Sequence, residues 1–447
     1  MASAGELDSA SSRKKVLIIT YYWPPAAGPG VQRFVKFCKY LPEFGWDPLI
    51  LTVKSGSYPS IDESLGENLP SDLPVFRTKT FEPFQVYNRL RGEKGKEIPV
   101  SLIGIKEDKR LIQRLSLYIR ANWFVPDARK GWRKYAVAEA IKLIKAHNPD
   151  VIITTGPPQS THLIGLDLKR RCRLPWLADL RDPWTNVFYN KFFPRTESTK
   201  RKDKSMEDSV LKNADFVTVV SSGLKKEFED RSKGISVIYN GFDEEDFVES
   251  QSTKQEKFTL EYIGNLKPNQ NASGLWETIS ELLAENASFK VDFKLVLTGN
   301  IDKFIEADLT QKYGLGGNLD IKRFVPHREA VEVMKKAGML LFIVPEADNN
   351  HLIITGKLFE YLASRSAILA IGPVDGDAAQ LLAEANKSGM IDYSHKDELK
   401  RQLLGAYEAW KNVDAQQVNS DAADLSKFSR KSLTANLAEV LNKLANG

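Results

Sequence analysis

Residues 16–41 read VLIITYYWPPAAGPGVQRFVKFCKYL: an apolar run, then a turn rich in proline and glycine, then a second segment with regularly spaced apolar residues. The first four residues are a continuous apolar run, which predicts a buried strand, and residues 34–41 carry apolar side chains at helical spacing. Between them lie three prolines and two glycines, Gly28 and Gly30. Such a turn lets backbone approach a ligand at the start of a helix, although a rigid surface turn would have the same composition. The stretch predicts one strand–turn–helix unit of a parallel α/β sheet.

The same alternation of strand and helix continues through both halves of the chain, which predicts parallel sheets covered on both faces. It restarts after the polar tail of residues 238–257, so we expect two domains. The predicted architecture is two doubly wound parallel-sheet α/β domains facing a cleft. Strands are expected near residues 15–20, 48–53, 150–154, 175–180, 216–220, 258–263, 292–298, 319–324 and 339–344. Helices are expected near residues 30–44, 130–147, 160–171, 203–213, 357–364, 376–385 and 396–411.

Composition narrows the class of protein. The 447 residues are too many for one compact core, and 42% apolar content is ordinary for a globular protein. Two cysteines, Cys38 and Cys172, give neither a disulfide framework nor a metal-ligand spacing, which fits a reducing cytoplasm. No apolar run reaches the length of a membrane span or a secretory signal, and the polar residues 1–13 are expected to be a disordered extension.

The positive charge is concentrated in one segment. The chain has a net charge of +5, yet residues 86–135 alone hold thirteen Lys and Arg against five Asp and Glu. This asymmetry favours an anionic surface over general nucleic-acid binding, so no nucleic-acid partner is expected.

Within that basic insert, residues 106–135 have the pattern of a basic amphipathic helix with tryptophans at its edge. This pattern fits the surface of an anionic membrane, and a helix packed on the first domain with a solvated charged face is the alternative. A second basic cluster lies at residues 200–204. The apolar positions are Leu111, Ile112, Leu115, Ile119 and Phe124, and the flanking basic and aromatic residues are Arg110, Arg114, Arg120, Trp123 and Trp132.

Residues 355–382 read TGKLFEYLASRSAILAIGPVDGDAAQLL and place Lys357 and Glu360 on one face of the first turn of a helix. A carboxylate there can accept hydrogen bonds from the two hydroxyls of a ribose, and a lysine can meet a phosphate. A surface ion pair between residues three apart is the plain alternative.

That segment resembles the nucleotide-binding helix of the GT-B glycosyltransferases, specifically the retaining enzymes of family 4. Four further pieces agree with that family in order and spacing: YYWPPAAGPGVQRFVKFCKYL at the first turn, ADLRDPW at 178–184, LKNADFVTVVSSGL at 211–224 and IYNGFDEEDF at 238–247. The resemblance covers residues 15–445 and implies two Rossmann-like domains. It implies an acceptor-side domain over 14–245, a nucleotide-sugar domain over 258–424, and a last helix over 425–447 that crosses back to the first domain.

The resemblance also implies roles for individual residues. Glu360 matches the carboxylate that holds the donor ribose, and Gly28 and Gly30 match the loop that faces the donor diphosphate. Asp179, Arg181 and Asp182 follow a strand where the family places polar residues toward sugar or acceptor, which makes Arg181 and Asp182 the candidate catalytic residues. Donor contacts are further expected from Gly264, Asn265, Lys267, His327 and Lys357, and contacts with the sugar or acceptor are expected from Asp179 and His351.

Three positions depart from the family pattern. A glutamate eight residues before Glu360 is replaced by Leu352, and the two basic positions of the first loop in the second domain are occupied by Asn265 and Gln270. In the family those cations hold the diphosphate and stabilise the leaving nucleotide. Lys267 and Lys357 are the available substitutes.

The resemblance implies a reaction that needs no cofactor and no metal. Asp375-Gly376-Asp377 has the D-x-D spacing of some unrelated metal-dependent glycosyltransferases, but it lies in a turn, and the five histidines show no ligand spacing. The expected partners are a nucleotide-sugar donor and a glycan or lipid-linked acceptor of the cell envelope, in the cytoplasm or at the inner membrane face. A nucleotide-sugar epimerase of the same fold and a non-catalytic glycan- or membrane-binding relative are the alternatives.

Overall fold

Two parallel β-sheets organise the chain. The computed structural model describes residues 13–58, 60–66, 69–82, 111–247, 255–323, 325–412 and 424–447. The strands within these ranges are β1 Lys14–Thr20, β2 Trp46–Val53, β3 Val75–Thr78, β4 Val151–Gly156, β5 Trp176–Leu180, β6 Phe216–Val219, β7 Ile235–Val237, β8 Phe258–Ile263, β9 Phe293–Thr298, β10 Leu319–Lys322, β11 Met339–Ile343 and β12 Ile368–Ile371.

Helices connect the strands and cover both faces of each sheet. They are α1 Pro29–Tyr40, α2 Leu111–Trp123, α3 Arg133–His147, α4 Ser160–Cys172, α5 Glu197–Asn213, α6 Ser222–Phe228, α7 Ser273–Glu285, α8 Ala287–Asp292, α9 Lys303–Ala307, α10 His327–Lys336, α11 Gly356–Ala363, α12 Asp377–Glu384, α13 Lys396–Asn412 and α14 Arg430–Asn446. Within the ranges that the model describes, none of them combines the length and apolarity needed to cross a membrane.

The strand order confirms the predicted doubly wound α/β class. The first sheet runs β3-β2-β1-β4-β5-β6-β7, the second runs β10-β9-β8-β11-β12, and every pair of neighbouring strands is parallel. In each sheet the chain first builds outward on one side and then returns to build on the other. The order therefore reverses between β1 and β4 in the first sheet and between β8 and β11 in the second. Crevices at the carboxyl ends of such strands are where open α/β sheets bind ligands.

Each sheet has an apolar core on both faces, because the side chains of its inner strands are largely buried. The last helix, α14, packs on the first sheet although it follows the second in sequence. Its side chains Leu433, Leu437 and Leu441 share a core with Val16 of β1 and Phe34 of α1. The chain therefore crosses between the domains twice.

The structure adds two strands to those predicted for the first half. The edge strands β3 and β7 have only four and three residues, and neither carries a run of fully buried side chains. Without such a run their sequence lacks the signal of a buried strand. Helix α5 begins at Glu197, six residues before the predicted start, because Thr196 caps it by accepting a hydrogen bond from the Thr199 N–H group. The predicted extension at residues 1–12 and residues 86–110 of the basic insert lie outside the described residues.

A buried ion pair joins the elements of the first domain. Arg33 of α1 lies 3.0 Å from Asp179 at the end of β5, and their side chains are 0% and 2% exposed. Asp179 also accepts hydrogen bonds from the hydroxyl groups of Thr155 in β4 and Thr218 in β6, at 2.8 and 2.9 Å. Arg33 donates a further hydrogen bond to the backbone carbonyl of Tyr239, which lies between the two domains.

We expect the substitution Arg33→Met to lower the free energy of unfolding by about 3–5 kcal/mol, because it leaves the Asp179 carboxylate buried without its counter-ion. Urea denaturation at neutral pH measures this change. The matched control is Lys200→Ala, which breaks an exposed ion pair with Glu197 and should leave the denaturation midpoint almost unchanged, because solvent screens exposed charges. Equal losses in the two variants would contradict the assigned role of the buried pair.

Candidate active site

The candidate site residues gather at the two points where strand order reverses. On the first domain, the loop after β1 leads into α1, and Arg181 follows β5 beside the end of β4. On the second domain, Gly264 and Lys267 follow β8, and α11 lies beyond the end of β11. The two reversal points face each other, because a Cβ atom on Gly356, the first residue of α11, would lie only 3.6 Å from Pro29, the first residue of α1.

Arg181 has a tightly defined position. Its Nε donates to the Thr155 hydroxyl at 3.1 Å and its Nη2 donates to the Pro157 carbonyl at 2.9 Å. The guanidinium occupies the space of the side chain that Gly30 lacks, since a Cβ atom on Gly30 would fall 1.3 Å from Arg181 Nη1. Gly30 is therefore required by the close approach of this cation, and the positive charge lies directly against the glycine loop.

Gly28 has a different reason to be glycine. Its φ angle is 131°, a conformation that residues with a side chain rarely adopt, and no atom lies within 4 Å of the space for a Cβ atom. It precedes α1 without a capping side chain and leads into Pro29 at the first helical position. The predicted glycine loop thus presents bare backbone toward α11, while its second glycine makes room for Arg181.

The expected contact of Asp179 with a sugar stays a prediction; in the structure the side chain is buried and both carboxylate oxygens accept hydrogen bonds from protein groups. Burial acts to raise its pKa, but the charges of Arg33 and Arg181 more than offset this and hold the pKa below its ordinary value. Asp179 is therefore an ionised anchor that positions Arg33 and lies beside Arg181.

Asp182, by contrast, keeps an exposed side chain at the end of the same segment. Protein atoms still surround it closely enough for desolvation to raise the pKa of its carboxyl group, against the lowering effect of Arg181. An accessible carboxyl group with a raised pKa in a concave position is a candidate acid or base.

Lys357 is the principal cation on the second domain. Its Nζ lies 3.8 Å from the centre of the Tyr262 ring and would be 3.0 Å from a Cβ atom on Gly264, whose φ angle of 126° also favours glycine. Among the described residues it forms no ion pair. Desolvation lowers the pKa of Lys357 to about 7, and the nearby charge of Glu360 offsets only part of that effect.

Glu360, one turn further along α11, contacts His327 at the start of α10. The distance from His327 Nε2 to Glu360 Oε1 is 3.0 Å, and this hydrogen bond is the main reason that the pKa of His327 is raised. The structure therefore brings together three predicted donor residues, Lys357, Glu360 and His327. The plain alternative of a surface ion pair between Lys357 and Glu360 does not hold, since Glu360 pairs with His327 and Lys357 points toward Gly264.

The start of α11 has unsatisfied hydrogen-bonding groups. Thr355 occupies the capping position but makes no side-chain capping hydrogen bond, and its buried hydroxyl has no partner. The first backbone N–H groups of a helix have no acceptors within the helix, which makes this end suited to an anion.

The loop after β8 explains the two neutral substitutions. Gln270 is buried, donates to the Ile343 carbonyl at the end of β11 at 2.9 Å, and accepts from the Lys267 N–H group at 3.4 Å. It ties the loop to the sheet rather than reaching into the cleft. Asn265 is exposed, while its carbonyl accepts a hydrogen bond from Tyr262. Lys267 remains half-buried, and desolvation lowers its pKa.

Two further predicted residues lie at the contact between the domains. His351 is exposed in a short turn, and its backbone packs against Gly376 at the start of α12. Asp377 of the D-x-D sequence accepts two hydrogen bonds from the Gly223 N–H group of α6, at 2.9 and 3.1 Å. Its carboxylate thus joins the domains. In the part of the chain that the model describes, no three His, Cys, Asp or Glu side chains come together as metal ligands.

Sequence reasoning missed Arg33 as the partner of Asp179, and it missed the hydroxyl groups of Thr155 and Thr218 that also donate to Asp179. The signal was present in part, because Arg33 falls among the buried positions of α1, between Val31 and Phe34. A charged residue on the apolar face of a helix requires a buried partner. Which carboxylate supplies that partner depends on tertiary contacts that the sequence does not show.

Comparisons with known proteins agree with this arrangement. Residues 86–246 match the model of the family described as Glycosyltransferase Family 4. No curated protein matches this chain in sequence. Among solved structures, sucrose-phosphate synthase from Thermosynechococcus elongatus has a TM-score of 0.60 at 13% identity, with 97% of this chain and 99% of that chain covered.

Two other similar structures carry different activities in their names. The lipopolysaccharide outer core galactosyltransferase WaaB has a TM-score of 0.57 at 11% identity, covering 96% of this chain and 99% of that one. A putative UDP-N-acetylglucosamine 2-epimerase from Listeria monocytogenes has a TM-score of 0.52 at 12% identity, covering 96% of each. At these identities the structures establish the fold. The chain therefore has the GT-B architecture and resembles the family 4 glycosyltransferases, which together support a glycosyltransferase.

Proposed function

We propose that this protein transfers a sugar, with retention of configuration, from a nucleotide diphosphate donor to a hydroxyl group of a cell-envelope glycan or glycolipid. The observation that carries the proposal is the meeting of Lys357, Glu360 and the uncapped start of α11 with the glycine loop and Arg181 across the cleft. Cations and backbone N–H groups from both domains converge where a diphosphate would lie, and a carboxylate lies one helical turn away for the ribose.

The chemistry assigned to these groups is electrostatic stabilisation and orientation. The bond between the sugar C1 and the phosphate oxygen breaks as the acceptor oxygen forms its bond to C1 on the same face. The acceptor proton passes to the departing phosphate. Lys357, Arg181 and the N–H groups of α11 offset the charge that develops on the leaving group, and Asp182 is available to orient the acceptor hydroxyl.

Lys357 takes the place of the basic residues that the family has at Asn265 and Gln270. Gln270 is held away from the cleft by its bond to β11, whereas Lys357 reaches the same loop from α11 and lies over Gly264. The leaving group needs a cation that is not already paired with a carboxylate. Lys357 meets this need, since it forms no ion pair among the described residues. The alternative of a non-catalytic protein rests on the neutral residues Asn265 and Gln270. It loses its main argument if Lys357 supplies the positive charge that they lack.

An epimerase remains the second candidate, since the Listeria protein shares the fold. Incubation with a panel of UDP-, GDP- and ADP-sugars, with and without glycan acceptors, distinguishes the three functions. Transfer only in the presence of acceptor supports the proposal. An isomerised nucleotide sugar without acceptor would identify an epimerase, and neither turnover nor nucleotide binding would leave the non-catalytic function.

Glu360→Ala should weaken binding of the donor nucleotide about ten- to hundredfold, because a carboxylate bonded to ribose hydroxyls contributes on the order of 1.5–3 kcal/mol. Calorimetry with UDP, GDP and ADP measures this loss. Glu329→Ala removes an exposed carboxylate from α10, the helix that carries His327, and should bind as the parent protein does. Unchanged affinity in the Glu360 variant would refute the ribose assignment.

Nucleotide binding should take up a proton at pH 8, because the Lys357 pKa of about 7 leaves the free amine mostly neutral there and a bound diphosphate favours the ammonium form. Affinity should therefore fall as pH rises above 7. Calorimetry in two buffers of different ionisation enthalpy counts the protons. Lys357→Arg should abolish the uptake, because arginine stays charged, while Lys267→Arg should leave most of it. Persistent uptake in Lys357→Arg would exclude this lysine.

Gly30→Ala should reduce transfer about as much as Arg181→Ala does, because the added methyl group displaces the guanidinium from its position. The double variant should be no worse than either single variant, since residues that act as a unit have non-additive effects. Rates of sugar transfer and urea denaturation separate the loss of activity from a loss of stability. Additive losses in the double variant would show that Gly30 acts independently of Arg181.

A further inference from the structure

Helix α2 presents its apolar face to solvent. The side chains of Leu115, Tyr118, Ile119 and Trp123 are 61%, 44%, 37% and 70% exposed, and their spacing places them on one face of the helix. Large apolar side chains at helical spacing are normally buried in a core. An outward-facing stripe of four marks an interaction surface.

Contacts of two further residues of α2 fix the orientation of the helix. Asn122 donates to the Pro194 carbonyl at 2.9 Å and accepts from the Thr196 N–H group and the Thr199 hydroxyl, each at 2.8 Å. Arg120 lies over the Phe193 ring at 5.8 Å. The helix is thus bound to the segment before α5 through polar contacts and cannot turn its apolar stripe inward without breaking them.

Basic side chains lie on α2 and on the neighbouring helix α5, which Asn122 of α2 contacts through Thr199. Arg114 is exposed on α2 itself, and Arg201 and Lys202 are exposed on α5 without an ion pair among the described residues. Lys130 donates to the Trp123 carbonyl, and Lys202 is close enough that its charge adds to desolvation in lowering the Lys130 pKa. We name the four apolar residues of α2 together with Arg114, Lys130, Arg201 and Lys202 the basic–apolar platform.

The platform is connected to the cleft. The segment that anchors α2 at Phe193 and Pro194 includes Lys191, which forms an ion pair with Asp348 of the second domain. A partner surface bound to the platform would therefore lie beside the contact between the two domains.

We propose that the basic–apolar platform docks this protein on the surface of an anionic lipid bilayer. The basic side chains complement anionic headgroups, and a tryptophan and a tyrosine beside aliphatic side chains match the boundary between headgroups and acyl chains. This inference goes beyond the proposed transfer reaction and does not depend on it. Arg110 of the predicted amphipathic helix lies outside the described residues and Arg120 packs on Phe193, so Arg201 and Lys202 are the basic residues to test.

The experiment is co-sedimentation of the full chain with vesicles containing phosphatidylglycerol, compared with phosphatidylcholine vesicles. We expect binding to the anionic vesicles alone, weakened as added salt shortens the Debye length from about 10 Å at 0.1 M to about 3 Å at 1 M. The double variants Leu115→Ser/Trp123→Ser and Arg201→Glu/Lys202→Glu should each bind at least about tenfold more weakly. Matched controls in the second domain are Phe304→Ser/Val374→Ser and Lys290→Glu/Lys303→Glu, which should bind as the parent does.

Tryptophan fluorescence gives a second readout, because Trp123 is 70% exposed and the other seven tryptophans are buried or half-buried. Vesicle binding should shift the emission to shorter wavelength, and Trp123→Phe should remove the shift while retaining co-sedimentation. An unchanged urea denaturation midpoint in every variant shows that the fold is intact, and it does so whether or not the protein binds a nucleotide, which separates this test from that of the proposed function. Binding indifferent to lipid charge would overturn the proposal. So would a dimer, seen by sedimentation velocity without vesicles, that dissociates on Leu115→Ser/Trp123→Ser.

Discussion

The buried pair of Arg33 and Asp179 constrains the first domain and its junction with the second. Asp179 receives hydrogen bonds from β4, β6 and α1 at once, so the ends of the strands that border the cleft are fixed relative to one another. Arg33 also donates a hydrogen bond to the Tyr239 carbonyl. The Tyr239 ring in turn packs on Phe359 of α11, with 5.7 Å between the ring centres. A buried charge pair is a costly way to gain stability, but its geometry is specific. Here it relates the strand ends of one domain to the helix that carries Lys357 and Glu360 in the other.

The sequence was sufficient for the inner strands and insufficient for the two edge strands of the first sheet. The inner strands β1 and β11 contain the continuous apolar runs VLII and MLLFI, and burial on both faces of a parallel sheet favours that composition. The edge strands β3 and β7 have partly exposed side chains and only three or four residues. Their position depends on backbone pairing with β2 and β6, which leaves little trace in side-chain pattern.

Some residues of the candidate site could likewise be predicted from the sequence, and others could not. Glu360, Lys357 and the glycines could be predicted because each is tied to a local motif with a fixed spacing. The location of Asp179 could not, since one strand end supplies a buried anchor at 179 and an exposed carboxyl group at 182, and only the packing of Arg33 decides between them. The reason for Gly30 was equally inaccessible. Sequence suggests backbone approaching a diphosphate, whereas the structure shows a guanidinium occupying the place of its side chain.

The neutral residues in the loop after β8 do not by themselves imply a loss of function, because the position of positive charge matters more than the element that supplies it. Gln270 uses its amide to join β8 to β11, a role that a charged side chain would perform at the cost of burying its charge. Lys357 approaches the same loop from α11 and rests on the face of Tyr262, where the electron-rich ring favours a cation despite desolvation. Desolvation lowers the pKa of Lys357 to about 7, and a bound diphosphate, as proposed, would favour the charged form. On that proposal the site would gain positive charge as the donor binds, and the protein alone would not hold an uncompensated charge there.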